Sequence, residues 1–205
     1  MKILITAGPT REYIDPVRFI TNRSSGKMGY AVAQAALERG CEVVLVTGPV
    51  AITPPEGARV VHVESAAQMA EAVKREAADC DAVVMAAAVA DYRPAQVSEH
   101  KLKKMPGDMT LRLERTEDIL ASLGAAKRPG QLLVGFAAET DDLLKNAADK
   151  LRRKNLDWIA ANRVADGFGA DTDRVTLLGR NGEVVELPLA PKLEVARRML
   201  GVILG

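Results

Sequence analysis

Residues 82–90 read Ala-Val-Val-Met-Ala-Ala-Ala-Val-Ala, a run without one polar side chain. Such a run is far too short to cross a bilayer, which takes about 20 apolar residues. A half-exposed strand alternates apolar with polar, so a strand apolar at every position is covered on both faces. Helices on both sides of a parallel sheet supply that cover. Further short apolar strands are predicted over 2–7, 42–47, 59–63, 132–136 and 157–161, with the run itself giving a strand over 82–88. Helices are predicted over 27–39, 66–78 and 141–154 from apolar residues at three- and four-residue spacing. This alternation predicts one α/β, Rossmann-like domain over 1–205, with a mostly parallel sheet and helices on both faces. Runs over 174–178 and 183–187 flank Asn181-Gly182, a strong hairpin signal, so a C-terminal β-hairpin is expected before a closing helix over 193–204.

Two stretches break the rhythm. Residues 91–110 are polar and contain Pro94, Pro106 and the basic run Lys101-Leu102-Lys103-Lys104, and 166–173 are rich in Gly and Asp. Long loops in compact domains are usually lids, binding loops or disorder, and a flexible basic loop is expected near 92–110.

Composition narrows the function classes. A net charge of +1 and 3% aromatics argue against a nucleic-acid binder or a membrane-surface protein. Cys41 and Cys80 read as reduced thiols in a cytoplasmic protein, and His62 and His100 form no zinc spacing with them. The first residues enter a strand pattern at once, so no signal peptide is expected.

In an open parallel sheet, ligands bind beyond the carboxyl ends of the strands, where the strand order reverses. The residues following these strands are small, as in Gly8-Pro9-Thr10 and Ala87-Ala88-Val89-Ala90-Asp91, which suits a base or ribose against backbone and equally suits tight helix packing. Ser24-Ser25-Gly26 precedes the first helix. Its amides, two hydroxyls, the helix dipole and Lys27 make an anion site, or the serines simply cap the helix. The basic run can neutralise a polyphosphate or be plain solvated charge. Lys150 and Lys154 share one helix face. Asp91 and Glu139 follow apolar strands, where a carboxylate can take a ribose hydroxyl or magnesium, or serve a turn.

Taken together, Asp15-Pro16-Val17-Arg18-Phe19-Ile20 and Asn22-Arg23-Ser24-Ser25-Gly26-Lys27-Met28-Gly29 resemble the phosphopantothenate–cysteine ligase family. This is the C-terminal half of a bacterial bifunctional coenzyme A biosynthesis protein. The likeness continues through Ala87 to Arg93, Lys101 to Lys104, Val134 to Thr140 and Lys154 to Asp157, over nearly the whole chain. It implies a ligase that joins 4′-phosphopantothenate and cysteine using CTP and Mg2+, through an acyl cytidylate, and that forms a homodimer. The late hairpin around Asn181-Gly182 is a candidate part of that interface.

By motif, the resemblance implies that Asn22 serves the second half-reaction and Lys101 the activation step. Met85, Ala86, Ala87, Asp91, Lys101, Phe136, Lys150 and Lys154 match nucleotide-contacting positions. Glu117-Asp118-Ile119-Leu120 matches a further one, although the family segment usually begins with proline. Ser24, Ser25, Gly26 and Lys27 are assigned to the substrate phosphate, and no metal ligand is assigned. With the flavin-dependent half absent, decarboxylation and FMN are not expected. An NAD(P)-dependent reductase, the first rival, lacks both a G-x-G-x-x-G turn and an acid ending the second strand. The second rival is a non-catalytic nucleotide-binding module.

Overall fold

A computed structural model of the protein describes residues 1–104, 106–139, 141–163 and 169–205, without the side chain of Glu139. In chain order the strands are β1 (Lys2–Ala7), β2 (Arg11–Tyr13), β3 (Phe19–Thr21), β4 (Glu42–Thr47), β5 (Arg59–His62), β6 (Ala82–Met85), β7 (Tyr92–Pro94), β8 (Leu113–Arg115), β9 (Leu132–Glu139), β10 (Trp158–Arg163), β11 (Thr172–Gly179) and β12 (Val184–Pro191). The helices among the described residues are α1 (Lys27–Glu38), α2 (Ala66–Ala77), α3 (Ile119–Ala126), α4 (Leu143–Arg153) and α5 (Lys192–Leu204).

The main sheet runs β12-β11-β10-β9-β6-β1-β4-β5. From β10 across to β5 every neighbouring pair is parallel. The hairpin β11–β12 extends the β10 edge antiparallel, as the Asn181-Gly182 signal predicts, with Gly182 at φ 94°. The chain winds from β1 through β4 to β5, then returns to place β6 on the other side of β1. Strand order therefore reverses between β1 and β6, and a crevice opens there.

Ile3, Leu4 and Ile5 are all 0% exposed, although neighbouring strand residues point to opposite faces. Both faces are therefore covered. Ile3 and Ile5 pack with Val32 and Ala36 of α1 and Val195 and Met199 of α5. Leu4 packs with Met69 and Val73 of α2, Ile119 of α3 and Leu151 of α4. Fully burying one such aliphatic side chain contributes about 1.5–3 kcal/mol, which is why the stretch Ile3 to Ile5 is apolar throughout.

Several strand ends differ from the sequence reading, β6 and β9 among them. β6 stops at Met85, where its register with β1 and β9 ends. Residues 86–90 leave the sheet and hang from buried threonines: Ala87 N donates to Thr6 Oγ1 (3.0 Å) and Ala90 N to Thr10 Oγ1 (3.0 Å). Conversely β9 continues to Glu139, because β10 pairs with it as far as Arg163. The antiparallel pairs β2–β3 and β7–β8 and the helix α3 were not anticipated, and β7–β8 reduces the 91–110 stretch at its start. Of the Gly- and Asp-rich stretch 166–173, residues 166–168 lie outside the described residues, as does Thr140. No helix among the described residues is long and apolar enough to cross a membrane.

Gly29 sets how closely α1 approaches the sheet. A Cβ there would lie 2.6 Å from Ala7 Cβ and 2.8 Å from Thr6 O. Because Thr6 O is backbone, the helix has to move. Gly29→Ala is expected to destabilise the fold by about 1–3 kcal/mol, the usual cost of overpacking, read as a lower urea midpoint with an unchanged m-value.

Candidate active site

The crevice at the β1/β6 crossover has two lobes. Its floor is the segment 86–90, and hydrogen bonds hold that floor from several sides. Ala88 N donates to Gly8 O (2.9 Å) and Thr10 N to Ala88 O (3.3 Å), so Pro9 and Ala88 form a small parallel bridge. Thr116 Oγ1 donates to Ala90 O (2.6 Å). Small side chains here leave the backbone open to a ligand.

The first lobe lies against the start of α1. It is lined by residues 24–29, by 86–89, and by Asn162, Asp173 and Lys192 from the far side. Gly26 takes a left-handed φ of 77° as the N-cap of α1, and no side chain caps this helix. The capping alternative for Ser24 and Ser25 is thus set aside, and the free helix start faces the lobe. Ser24 Oγ instead accepts from Gly26 N (3.3 Å). Lys27 Nζ meets Asp171 Oδ1 at 2.5 Å, a pair that holds the Asp171 carboxyl below its ordinary range. Both partners are exposed, so the pair is worth only about 0–1 kcal/mol, and an anion in the lobe can take Lys27 at little cost.

Asn22 stands beside this lobe, just after β3. Its Nδ2 donates to Ala88 O (2.6 Å) and its Oδ1 accepts from Ser24 N (3.0 Å). One amide therefore ties the floor to the helix start.

The second lobe is lined by Met85, Ala87, Val89, Ala90, Asp91, residues 117–120, Phe136, Lys150 and Lys154. It brings together every nucleotide position expected from the sequence except Ala86, which lines the first lobe, and Lys101. Asp118 caps α3 by accepting from Ala121 N (3.0 Å) and pairs with Lys154 Nζ (2.7 Å). Burial pushes the Asp118 carboxyl up, but Lys154 and the Ala121 amide outweigh it and the net shift is downward. Lys150 Nζ donates to Phe136 O (2.7 Å). The Glu117 carboxylate accepts from Lys74 Nζ (2.7 Å) and Ser122 Oγ (2.6 Å). The two lobes share Ala87, Val89, Asp91, Phe136 and Lys150, so they form one continuous cleft.

Lys101 is not in this cleft. It lines a separate basic recess with Arg18, Lys103 and Lys104. The side chain of Glu139, the other carboxylate considered from sequence, lies outside the described residues.

Sequence reasoning missed Asn162, Asp173 and Lys192, which are 8%, 3% and 7% exposed in the first lobe's wall. Asn162 Nδ2 donates to Asp173 Oδ1 (3.2 Å), and Lys192 Nζ donates to Ala170 O (2.6 Å) and Thr172 O (3.0 Å). Burial lowers the Lys192 ammonium, and Asp173 partly restores it. Lys192 did carry a signal, since a lysine opening a helix faces the positive end of the dipole and needs a reason to be there.

The family of DNA/pantothenate metabolism flavoprotein C-terminal domains matches residues 1–205. The chain belongs to this family. It is 52% identical over 202 residues to the coenzyme A biosynthesis bifunctional protein CoaBC of Bacillus subtilis, covering 97% of this chain and 50% of that one. It is 48% identical over 207 residues to a cysteine/cysteine sulfinic acid decarboxylase of an unknown prokaryotic organism, covering 99% of this chain and 58% of that one. The chain thus spans about half the length of these relatives. The crystal structure of the C-terminal domain of CoaBC superposes with a TM-score of 0.85 at 51% identity, over 98% of this chain and 93% of that one. That match includes the Rossmann-like sheet.

Proposed function

We propose that the chain is a ligase of coenzyme A biosynthesis that joins 4′-phosphopantothenate to cysteine at the expense of CTP. The observation that carries this reading is the cleft itself. One lobe offers a helix start to an anion, the other offers lysines and small residues to a nucleotide, and they meet at Ala87 and Asp91. A reaction between a phosphorylated acid and a nucleoside triphosphate needs that junction. The 52% identity to CoaBC over nearly the whole chain supports a place in coenzyme A biosynthesis.

In the first half-reaction a substrate carboxylate oxygen attacks the α-phosphorus of CTP. The bond to the bridging oxygen breaks and pyrophosphate leaves with its electron pair. In the second the cysteine amine attacks the acyl carbon. The acyl–oxygen bond breaks, CMP leaves, and the amine sheds a proton to solvent. The protein's part is to position and to stabilise charge. Ser24, Ser25, Gly26 and Lys27 take the substrate phosphate. Lys150 and Lys154 lie beside the nucleotide, and Lys101 swings from its recess to the triphosphate. Asn22, fixed at the floor, faces the acyl group.

Among the described residues no cluster of three His, Cys, Asp or Glu side chains could hold a metal ion. Asp91, exposed where the lobes meet, supplies a single carboxylate. That fits Mg2+ arriving on the triphosphate, because Mg2+ keeps waters and takes one or two carboxylates plus phosphate oxygens. When bound it offsets triphosphate charge. The homodimer implied by the family belongs to the same proposal and is read by light scattering.

The decarboxylase named among the relatives, at 48% identity, is a weaker guide, because decarboxylation leaves the second lobe without a role. The test is pyrophosphate release from CTP, Mg2+, 4′-phosphopantothenate and cysteine. Release that requires both CTP and the acid is expected, and none above background sinks the reading. Changing Ser24 and Ser25 together to Ala is expected to raise the KM for 4′-phosphopantothenate roughly tenfold, the loss of one or two hydrogen bonds to a charged group. An unchanged KM removes the serines from the phosphate site.

A further inference from the structure

Asp15 is buried at 0% exposure, yet it lies outside both lobes and takes no part in the chemistry described above. Its carboxylate is one of the most heavily bonded groups in the protein. Oδ1 accepts from Val17 N (2.8 Å) and Arg18 N (2.9 Å), which closes the turn before β3. Oδ2 accepts from Arg18 Nε (2.9 Å) and Nη2, and from Leu102 N (3.1 Å). Arg18 Nη2 completes the ring by donating to Leu102 O (2.7 Å). Both backbone polar groups of Leu102 are thus taken by one ion pair. Four residues upstream, Ser98 N donates to Ile14 O (3.0 Å), so the same turn also holds the start of the segment.

Leu102 is the residue next to Lys101. The turn that grips it runs, through β3, directly into Asn22. Multiple hydrogen bonds and the Arg18 guanidinium hold the Asp15 carboxyl well below the usual carboxylate range, so the grip stays charged at any working pH.

We propose that Asp15 is a positioning residue for Lys101, acting through Arg18 and the Leu102 backbone to fix the pivot from which the lysine reaches the triphosphate. This rests on the ligase reading for what Lys101 does, but not for the existence of the anchor. The anchor sets where Lys101 starts and limits its travel. It also ties the Lys101 segment to the turn that leads through β3 to Asn22, so that the chain carrying both groups is joined by one ion pair. A bidentate guanidinium can hold Asp15 and Leu102 O together, whereas a lysine ammonium has no planar fork to span them.

The test uses the full chain and the variants Arg18→Lys and Asp15→Asn. Arg18 is partly exposed, so its variant keeps the fold even if Asp15→Asn does not. Hydrogen exchange at the Leu102 amide is followed by NMR, together with single-turnover formation of acyl cytidylate without cysteine. Each variant is expected to speed Leu102 exchange at least tenfold and to slow activation at saturating CTP at least tenfold, with the KM for CTP changed less than threefold. A merely structural role would not separate rate from KM in this way. Faster Leu102 exchange with an activation rate within twofold of the parent overturns the proposal. So does unchanged exchange in Arg18→Lys. A parent that forms no acyl cytidylate counts against the ligase reading, and the exchange result then decides the anchor by itself.

Discussion

Lys101→Gln is expected to slow acyl-cytidylate formation by about a hundredfold to a thousandfold, the usual loss when one preorganised charge-stabilising donor is removed. The first half-reaction brings a carboxylate onto an anionic phosphate and releases pyrophosphate, so negative charge accumulates throughout. Lys101 stands in a recess with Arg18, Lys103, Lys104 and Asp108, and on the ligase reading it is the charge that meets the triphosphate. Gln keeps most of the side-chain length and a donor but removes the charge. The loss should therefore appear in the rate of the chemical step at saturating CTP rather than in binding. Quenched-flow mass spectrometry of the acyl cytidylate reads it. Turnover within threefold of the parent would take Lys101 out of the activation step.

Asn22→Asp should give the opposite signature, with the acyl cytidylate forming and then persisting. The Asn22 amide donates to Ala88 O at 2.6 Å and accepts from Ser24 N at 3.0 Å. Aspartate can still accept from Ser24 N, but it cannot donate to Ala88 O, and it sets a negative charge against that carbonyl. On the ligase reading it also sets an anion beside the acyl group just as the amine attack places negative charge on the acyl oxygen. Loss of one such donor costs about 2.7–4 kcal/mol in the step it serves, enough for the intermediate to accumulate on the protein. Intact mass spectrometry under non-denaturing conditions should show the bound species in Asn22→Asp and not in the parent. Equal turnover of the two proteins would contradict the role.

The parallel sheet was legible because its physics is written residue by residue. Strands buried on both faces admit no polar side chain, and the stretches 2–7, 42–47 and 82–85 show none but Lys2, Thr6, Glu42 and Thr47 near their ends. The hairpin was legible because Asn181-Gly182 is a turn pair, and its Gly182 takes the positive φ that the turn demands. β2, β3, β7 and β8 were not, since three-residue strands are too short to display a period. The 86–90 segment misled for a related reason. Its alanines and valine are as apolar as a strand, and only the hydroxyls of Thr6 and Thr10, distant in sequence, draw it out of the sheet.

Within the site, most of the expected nucleotide positions come from strands β6 and β9 and from α3 and α4, so they gather in one lobe. Lys101 does not, because its place depends on long-range anchoring at Asp15 and Arg18. The local part of that anchor was visible after the fact: an aspartate accepting from amides two and three residues on is a turn-former, and the Asp-Pro-x-Arg spacing of Asp15 to Arg18 brings the guanidinium back to the carboxylate. Its partner Leu102 could not be seen without the fold.

The most direct measurement of the central claim traces an oxygen atom. With 4′-phosphopantothenate labelled by 18O in its carboxylate, an acyl-cytidylate route must leave one labelled oxygen on the CMP released, because that oxygen forms the bond to phosphorus and stays there when the amine takes the acyl carbon. The account predicts one 18O in CMP for each phosphopantothenoylcysteine formed, and none in pyrophosphate. Unlabelled CMP, or label recovered in phosphate or pyrophosphate, would contradict it.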